Sequence, residues 1–188
     1  MDVLNMFTEC GALLRGHFLL SSGLHSDTYL QCAKVLQYPD KAELLGTGIA
    51  ALFKDIPVDV VVGPAMGGVI IAQEVGRALC VRAVFTEREN GVMTLRRGFE
   101  IAQGERVLVV EDVVTTGGSA AEVAERLAAM GATIAGVSAI IDRSNGTAKF
   151  NAPFKPLATL AVATHKAEAC PLCAQGLPAV KPGSRGLK

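Results

Sequence analysis

From about residue 58 the chain alternates between two kinds of apolar pattern. VDVVVG (58–63), VRAVFT (81–86), RVLVVE (106–111), TIAGVSAII (133–141) and LATLAV (157–162) are short runs, rich in β-branched residues and with little polar alternation. Such runs suit strands covered on both faces. Between them, VIIAQEVGRALC (69–80) and AAEVAERLAAM (120–130) repeat apolar residues at the three- and four-residue spacing of an amphipathic helix. Nearer the start, Val3 to Leu14 and Lys41 to Lys54 predict two more helices, the second introduced by Pro39-Asp40 with Asp40 as its cap. Strands alternating with helices predict an α/β fold with a mainly parallel central sheet flanked by helices. One segment breaks the pattern. TERENGVMTLRRG (86–98) is polar and contains Asn90-Gly91, a pair suited to the positive-φ corner of a two-residue β-turn, and it reads as a β-hairpin or mobile flap.

Totals narrow the reading further. The 188 residues suit one domain, and a chain of this size buries roughly 70% of its extended surface. Half the residues are hydrophobic and 19% are charged, which supplies ample core. Formal net charge is zero, so no positive excess is available to release counterions from nucleic acid or to seek an anionic membrane. The opening MDVLNMFTECGALLRGHF has early acids and no long apolar core, and a cytoplasmic protein without a membrane segment is expected. Five scattered cysteines argue against a disulfide framework. Cys32 and Cys80 read as small buried hydrophobes. Cys170 and Cys173 form a single CxxC with only His165 nearby in sequence; a structural metal site needs four ligands, so the pair reads as a turn pinned by Pro171, with a metal shared between chains or redox activity as alternatives.

The stretch VLVVEDVVTTGGS (107–119) carries the most chemistry. In open α/β sheets ligands sit beyond the carboxyl ends of strands, where this run delivers Glu111 and Asp112. Gly117 and Gly118 then let backbone amides approach a ligand at the start of a helix, whose unpaired N–H groups and positive dipole end suit a phosphate. A capping box of Ser119 with Glu122 would account for SAAE on its own, and that role is expected as well. It does not account for the acids. Carboxylates beside a phosphate make sense if they reach hydroxyls attached to it, as on a ribose diol. No lysine follows the glycines, as a Walker A loop requires, and the acids precede the glycines rather than following by about 20 residues, as in a dinucleotide fold.

In these thirteen residues the sequence resembles the phosphoribosyltransferases. GHFLLSSGLHSDTYLQ (16–31), GPAMGGVIIA (63–72), AIIDRSNG (139–146) and CPLCAQGLPAVKPGSR (170–185) resemble segments of the orotate phosphoribosyltransferase family, so the likeness spans nearly the whole chain. It implies a type I phosphoribosyltransferase fold over 1–188, with a hood segment (1–38), a flexible flap (86–98) and a C-terminal segment (165–188). It also implies the reaction of orotate with phosphoribosyl pyrophosphate (PRPP) to give orotidine 5′-monophosphate and pyrophosphate, a step of pyrimidine nucleotide synthesis.

By the same resemblance, Glu111 and Asp112 hold the ribose hydroxyls and Val113, Val114, Thr115, Thr116, Gly117, Gly118 and Ser119 form the rest of the PRPP loop. Ala65, Met66 and Gly67 face the pyrophosphate, with a cis peptide between Ala65 and Met66. Thr115 and Arg143 contact orotate, for whose carboxylate a guanidinium fork is the natural partner; Tyr29 covers the base or packs in the core. Arg143 could instead pair with Asp142. Mg²⁺ is expected on PRPP itself rather than in a protein cage, and a homodimer sharing its flap is implied. The chain departs from the family in having Arg88, Arg96 and Arg97 but no lysine or histidine in the flap, Met66-Gly67 in the pyrophosphate loop, and Ser21 where a lysine is common. Arg88 is therefore the candidate closing and catalytic residue, although all three arginines also read as solvated charges on a hairpin. His17 and His25 read as structural or surface residues, and Lys181, Ser184 and Arg185 as subunit or phosphate contacts. A transferase for a purine or another base, and a PRPP-sensing regulator that binds nucleic acid, remain as alternatives.

Overall fold

The computed structural model describes residues 1–20 and 23–182; Ser21, Ser184 and Arg185 lie outside the described residues. In chain order the elements are α1 (Val3–Glu9), β1 (Leu13–Leu19), β2 (His25–Leu30), α2 (Ala33–Leu36), α3 (Pro39–Leu52), β3 (Val60–Pro64) and α4 (Gly68–Leu79). They continue with β4 (Arg82–Glu89), β5 (Val92–Leu95), β6 (Arg106–Val114), α5 (Gly118–Ala129), β7 (Thr133–Asp142), β8 (Ala158–Thr159), β9 (Thr164–His165) and α6 (Pro171–Ala174). They fall into two compact units, Leu36–Leu160 and the described residues of Met1–Val35 together with those from Ala161 on.

The Leu36–Leu160 unit is built on a six-stranded sheet in the order β5-β4-β3-β6-β7-β8. All pairings are parallel except β4 with β5. The β-branched runs form the sheet because both faces are covered: Val60, Val61, Val62, Val107, Leu108 and Val109 are fully buried. Alternate side chains serve opposite faces. Val60, Val62, Val107, Val109 and Val137 pack with Ala120, Val123 and Leu127 of α5. Truncating Leu127 to alanine would cost about 2–5 kcal/mol through lost burial and the cavity left behind. On the helix side, α4 packs against α3, β3 and β4, and Gly46 of α3 is needed there, since a Cβ would come within 2.6–2.9 Å of Glu74.

The expected hairpin is present. β4 runs through the polar segment to Glu89 and turns at Asn90 (φ 52°) and Gly91 (φ 83°) into β5, the left-handed pair that a tight hairpin requires. Other expectations need correction. Asp40 sits in the first turn of α3 behind Pro39, with Tyr38 as the cap and no side-chain capping bond. LATLAV contributes only the two-residue β8. Cys80 is exposed in a left-handed conformation that ends α4, whereas Cys32 is buried.

The other unit is a three-stranded antiparallel sheet, β1-β2-β9. The helix expected over 3–14 stops at Glu9, capped at its start by the Asp2 carboxylate, because Leu13 onward is taken into β1. Phe18 bridges Val180, and Leu19 N–H donates to Val180 O at 2.8 Å, so the tail runs beside β1. His165 pairs with His25 across β2 and β9. Cys170 and Cys173 do lie on a single helical turn begun by Pro171, but they are not isolated from the histidines: His17 and His25, both buried, converge on the two thiols. No helix among the described residues is long and apolar enough to cross a membrane.

Candidate active site

Parallel strands β3, β6 and β7 end on the same edge of the Leu36–Leu160 sheet, and that edge gathers most of the expected site. β6 ends in Glu111-Asp112-Val113-Val114. After Thr115 and Thr116, Gly117 takes a left-handed φ of 83° and caps α5, a conformation open to glycine at little cost. A Cβ there would also crowd Phe150 and Ala148 at 3.0–3.1 Å. Glu111 and the run Val113 to Ala120 line a small polar pocket of about 60 Å³. The first amides of α5, which no helix can satisfy internally, open beside it.

The two acids differ in setting. Glu111 is only 9% exposed; burial, then the neighbouring charge of Asp112, pushes its carboxyl up to about 8, partly offset by a backbone hydrogen bond at Asp112. Asp112 accepts from Val113 N–H at 2.9 Å. Its carboxylate lies so close to Gly67 that a Cβ on that glycine would fall 2.5–2.7 Å from its atoms. The β3–α4 turn is therefore pressed against the end of β6, and glycine at 67 is what permits the approach. Gly68 has a similar constraint, its Cβ position lying 2.8 Å from Val110 O. The Ala65-Met66 peptide is cis, as the resemblance implies. Ala65 N–H donates to Thr86 O at 2.8 Å, and Met66 is exposed.

Arg143 follows β7 directly, and its backbone N–H donates to Val114 O at 2.8 Å. That bond fastens the base of the arginine to the strand carrying the acids. Asp142 Oδ1 accepts from Ser144 N–H at 2.8 Å. Glu111, Asp112, the 113–119 loop, Ala65 to Gly67 and Arg143 thus share one sheet edge. Tyr29 belongs to the other unit, on β2, with its ring 5.7 Å from that of Phe18.

Comparison with known proteins agrees with this geometry. Residues 42–171 match the phosphoribosyl transferase domain family. The orotate phosphoribosyltransferase of Caldanaerobacter subterraneus subsp. tengcongensis is 56% identical over 98% of this chain and 97% of its own; that of Acidithiobacillus ferrooxidans is 58% identical over 99% and 97%. The chain belongs to the orotate phosphoribosyltransferase family. Among solved structures, the orotate phosphoribosyltransferase from Aeropyrum pernix superposes with a TM-score of 0.70 at 26% identity, covering 85% of this chain and 94% of that one. The type I phosphoribosyltransferase fold expected from the sequence is the fold observed.

Within this family member the flap is held by a residue whose role the sequence disguised. Glu122 was expected to close a capping box with Ser119, but α5 begins at Gly118, so Ser119 lies inside the helix and no side chain caps it. A capping box needs its serine in the extended backbone that precedes a helix. Glu122 instead reaches the hairpin, accepting from Met93 N–H at 2.7 Å and from Arg88 at 3.0 Å. Arg88 also donates to Gly91 O at 2.6 Å. Arg97 pairs with Glu87 and lies over the Phe85 ring, and Arg96 pairs with Glu89. All three flap arginines are thus half-exposed and held by glutamates, Arg88 by one from α5.

Proposed function

We propose that this chain transfers the 5-phosphoribosyl group from PRPP to orotate, giving orotidine 5′-monophosphate and pyrophosphate. The observation that carries the reading is the sheet edge itself, where a strand-terminal acid pair, a glycine-capped helix start and a strand-terminal arginine meet. PRPP lies along it with its 5-phosphate on Thr115 to Ser119, its ribose hydroxyls on Glu111 and Asp112, and its pyrophosphate towards Ala65, Met66 and Gly67. Orotate is held by Thr115 and Arg143.

The reaction makes a bond from an orotate ring nitrogen to the anomeric carbon and breaks the bond from that carbon to the pyrophosphate oxygen, with inversion, the proton of the ring nitrogen leaving with the pyrophosphate. Positive charge grows on the ribose ring as negative charge grows on the leaving group, so the site supplies fixed donors and exclusion of water rather than a strong base. The acids lie on the hydroxyl side of the growing positive charge, and the amides on the phosphate side. Mg²⁺ bound to PRPP supplies part of the leaving-group stabilisation. The donor set fits that division: the edge carries two adjacent carboxylates, one of them buried and driven towards its neutral form, as expected where Mg²⁺ is held mainly by substrate phosphates. Closure of the hairpin brings Arg88 off Glu122 and onto the pyrophosphate. The protein acts as a cytoplasmic homodimer that shares its flap; the exposed Ile70 of α4, beside a surface groove lined by Val69, Phe85 and Phe99, supplies apolar area for such an interface.

The test is turnover. Orotate, PRPP and Mg²⁺ should yield pyrophosphate at a rate that adenine, guanine and hypoxanthine do not approach. Consumption of a purine with orotate untouched would reassign the base, and PRPP-dependent nucleic-acid binding without turnover would replace the enzyme by a regulator.

A further inference from the structure

Outside the PRPP edge, one cluster in the Met1–Val35 and Ala161-onward unit has no part in the transfer chemistry. His17 on β1, His25 on β2, and Cys170 and Cys173 at the start of α6 place one ligand atom each within 4.8 Å of one another, the only such group among the described residues. The local structure explains the convergence. Leu19 faces His25 across the antiparallel pair, and His17 is two residues before Leu19, so both imidazoles share one face of the hairpin. CPLC spans the first turn of α6, which puts its two sulfurs on one side with the short spacing seen in zinc-binding CxxC pairs.

Three of the nitrogen–sulfur distances lie near those of a tetrahedron, and no two of the four ligand atoms are more than 4.8 Å apart. Zinc bonds of about 2.3 Å to sulfur and about 2.0–2.1 Å to nitrogen require ligand edges of about 3.6 Å for N···S and about 3.3 Å for N···N. Three observed N···S edges are 3.5, 3.8 and 3.2 Å, whereas the His17 Nε2 to His25 Nδ1 edge, 2.7 Å, is of hydrogen-bond length and would open to about 3.3 Å around the ion. A second observation points the same way. His17 Nδ1 lies 2.7 Å from Leu177 O, and a carbonyl oxygen can only accept, so the proton sits on Nδ1 and the lone pair of Nε2 faces the cluster. A carbonyl that fixes the tautomer of a ligating histidine is the usual outer support of a metal site.

We infer that His17, His25, Cys170 and Cys173 form a structural zinc site. Four protein ligands close the coordination sphere, leaving no position for substrate or water, which is the structural rather than the catalytic arrangement. Two thiolates balance the charge of Zn²⁺, so the buried sides of the site, where His17, His25 and Cys170 are under 10% exposed, carry no net charge. Cys173 is exposed and provides the entry route. The metal clips the early hairpin to the tail of the chain, fastening β2, which carries Tyr29, to the segment that ends at the described tail.

The test uses the full chain, reduced, stripped with a chelator and titrated with Co²⁺. The expected result is about one Co²⁺ per chain, with the strong visible bands of a tetrahedral site and sulfur-to-cobalt charge transfer in the ultraviolet, displaced by Zn²⁺. Cys173→Ser, at the exposed position, should lose most of the charge-transfer intensity and the metal-dependent rise in melting temperature, while Cys80→Ser keeps both. Thiol labelling of the zinc-loaded chain should spare Cys170 and Cys173 until chelator is added. Uptake no greater than in the Cys170→Ser/Cys173→Ser double variant, a weak octahedral spectrum, or a Cys170–Cys173 disulfide with no metal uptake after its reduction would each overturn the assignment.

Discussion

Replacing Glu111 by glutamine exposes the energetic cost that the candidate ribose acid imposes on the ligand-free fold. Its carboxyl is pushed up from 4.5 to about 8, by burial first and by Asp112 second. Between those values the folded chain holds a proton that the unfolded chain has released, so stability falls as pH rises through this window. Below 4.5 both states are protonated and nothing is lost; above about 8 both are ionised and the loss is complete. At about 1.4 kcal/mol per pH unit the whole window corresponds to roughly 5 kcal/mol, a ceiling because a buried carboxylate draws water towards itself. The assay is urea unfolding of wild type and Glu111→Gln at pH 5, 7 and 9. Wild type should lose at least ~2 kcal/mol across that range which the variant retains; groups common to both proteins cancel in the difference. The same proton must leave before ribose hydroxyls can donate to an ionised carboxylate, so PRPP affinity should rise with pH up to about 8 more steeply in wild type than in the variant, the ionisation of PRPP's own phosphates being common to both. Parallel stability curves for the two proteins would refute the burial argument.

Arg143→Ala should raise the KM for orotate far more than that for PRPP, measured by steady-state kinetics; equal increases would mean that the Arg143 side chain acts through structure rather than on orotate. Gly67→Ala forces a methyl group against the Asp112 carboxylate, so turnover should collapse while the melting temperature moves by only a few degrees, and unimpaired turnover would show that the turn can back away. Glu122→Ala removes the acceptor of Met93 N–H and Arg88. Amide exchange at Met93 should quicken about 10-fold or more, as expected for loss of a charge-assisted bond of about 1.5–3 kcal/mol, whereas unchanged exchange would mean the hairpin is held elsewhere.

What was legible in the sequence follows from which interactions are local. Parallel strands buried on both faces must be apolar throughout, so β3, β4, β6 and β7 stood out as runs, and Asn90-Gly91 marked the hairpin because few other pairs accept two positive φ values. The candidate PRPP loop stood out because the acids, the glycines and the helix start are contiguous. The cluster of His17, His25, Cys170 and Cys173 did not. Its histidines and cysteines are some 150 residues apart and meet through the β1–β2 register and the placement of α6, neither of which leaves a periodic trace. Glu122 misled for a different reason: Ser119-x-x-Glu122 has the spacing of a capping box, and only the left-handed Gly117, by starting the helix two residues early, releases the glutamate to the flap. The helix expected over 3–14 ended early because Leu13 and Leu14, which fit its apolar stripe, also fit β1.

The most direct test of the β6 edge as the PRPP site is pyrophosphate release from PRPP and orotate by wild type and Asp112→Asn, with folding of both verified by circular dichroism. A hydrogen bond from a ribose hydroxyl to a charged acceptor is worth about 1.5–3 kcal/mol, so kcat/KM for PRPP should fall roughly 10- to 150-fold in a variant that remains folded. Wild-type kinetics in folded Asp112→Asn would contradict the account, because the acid pair would then have no hold on the ribose.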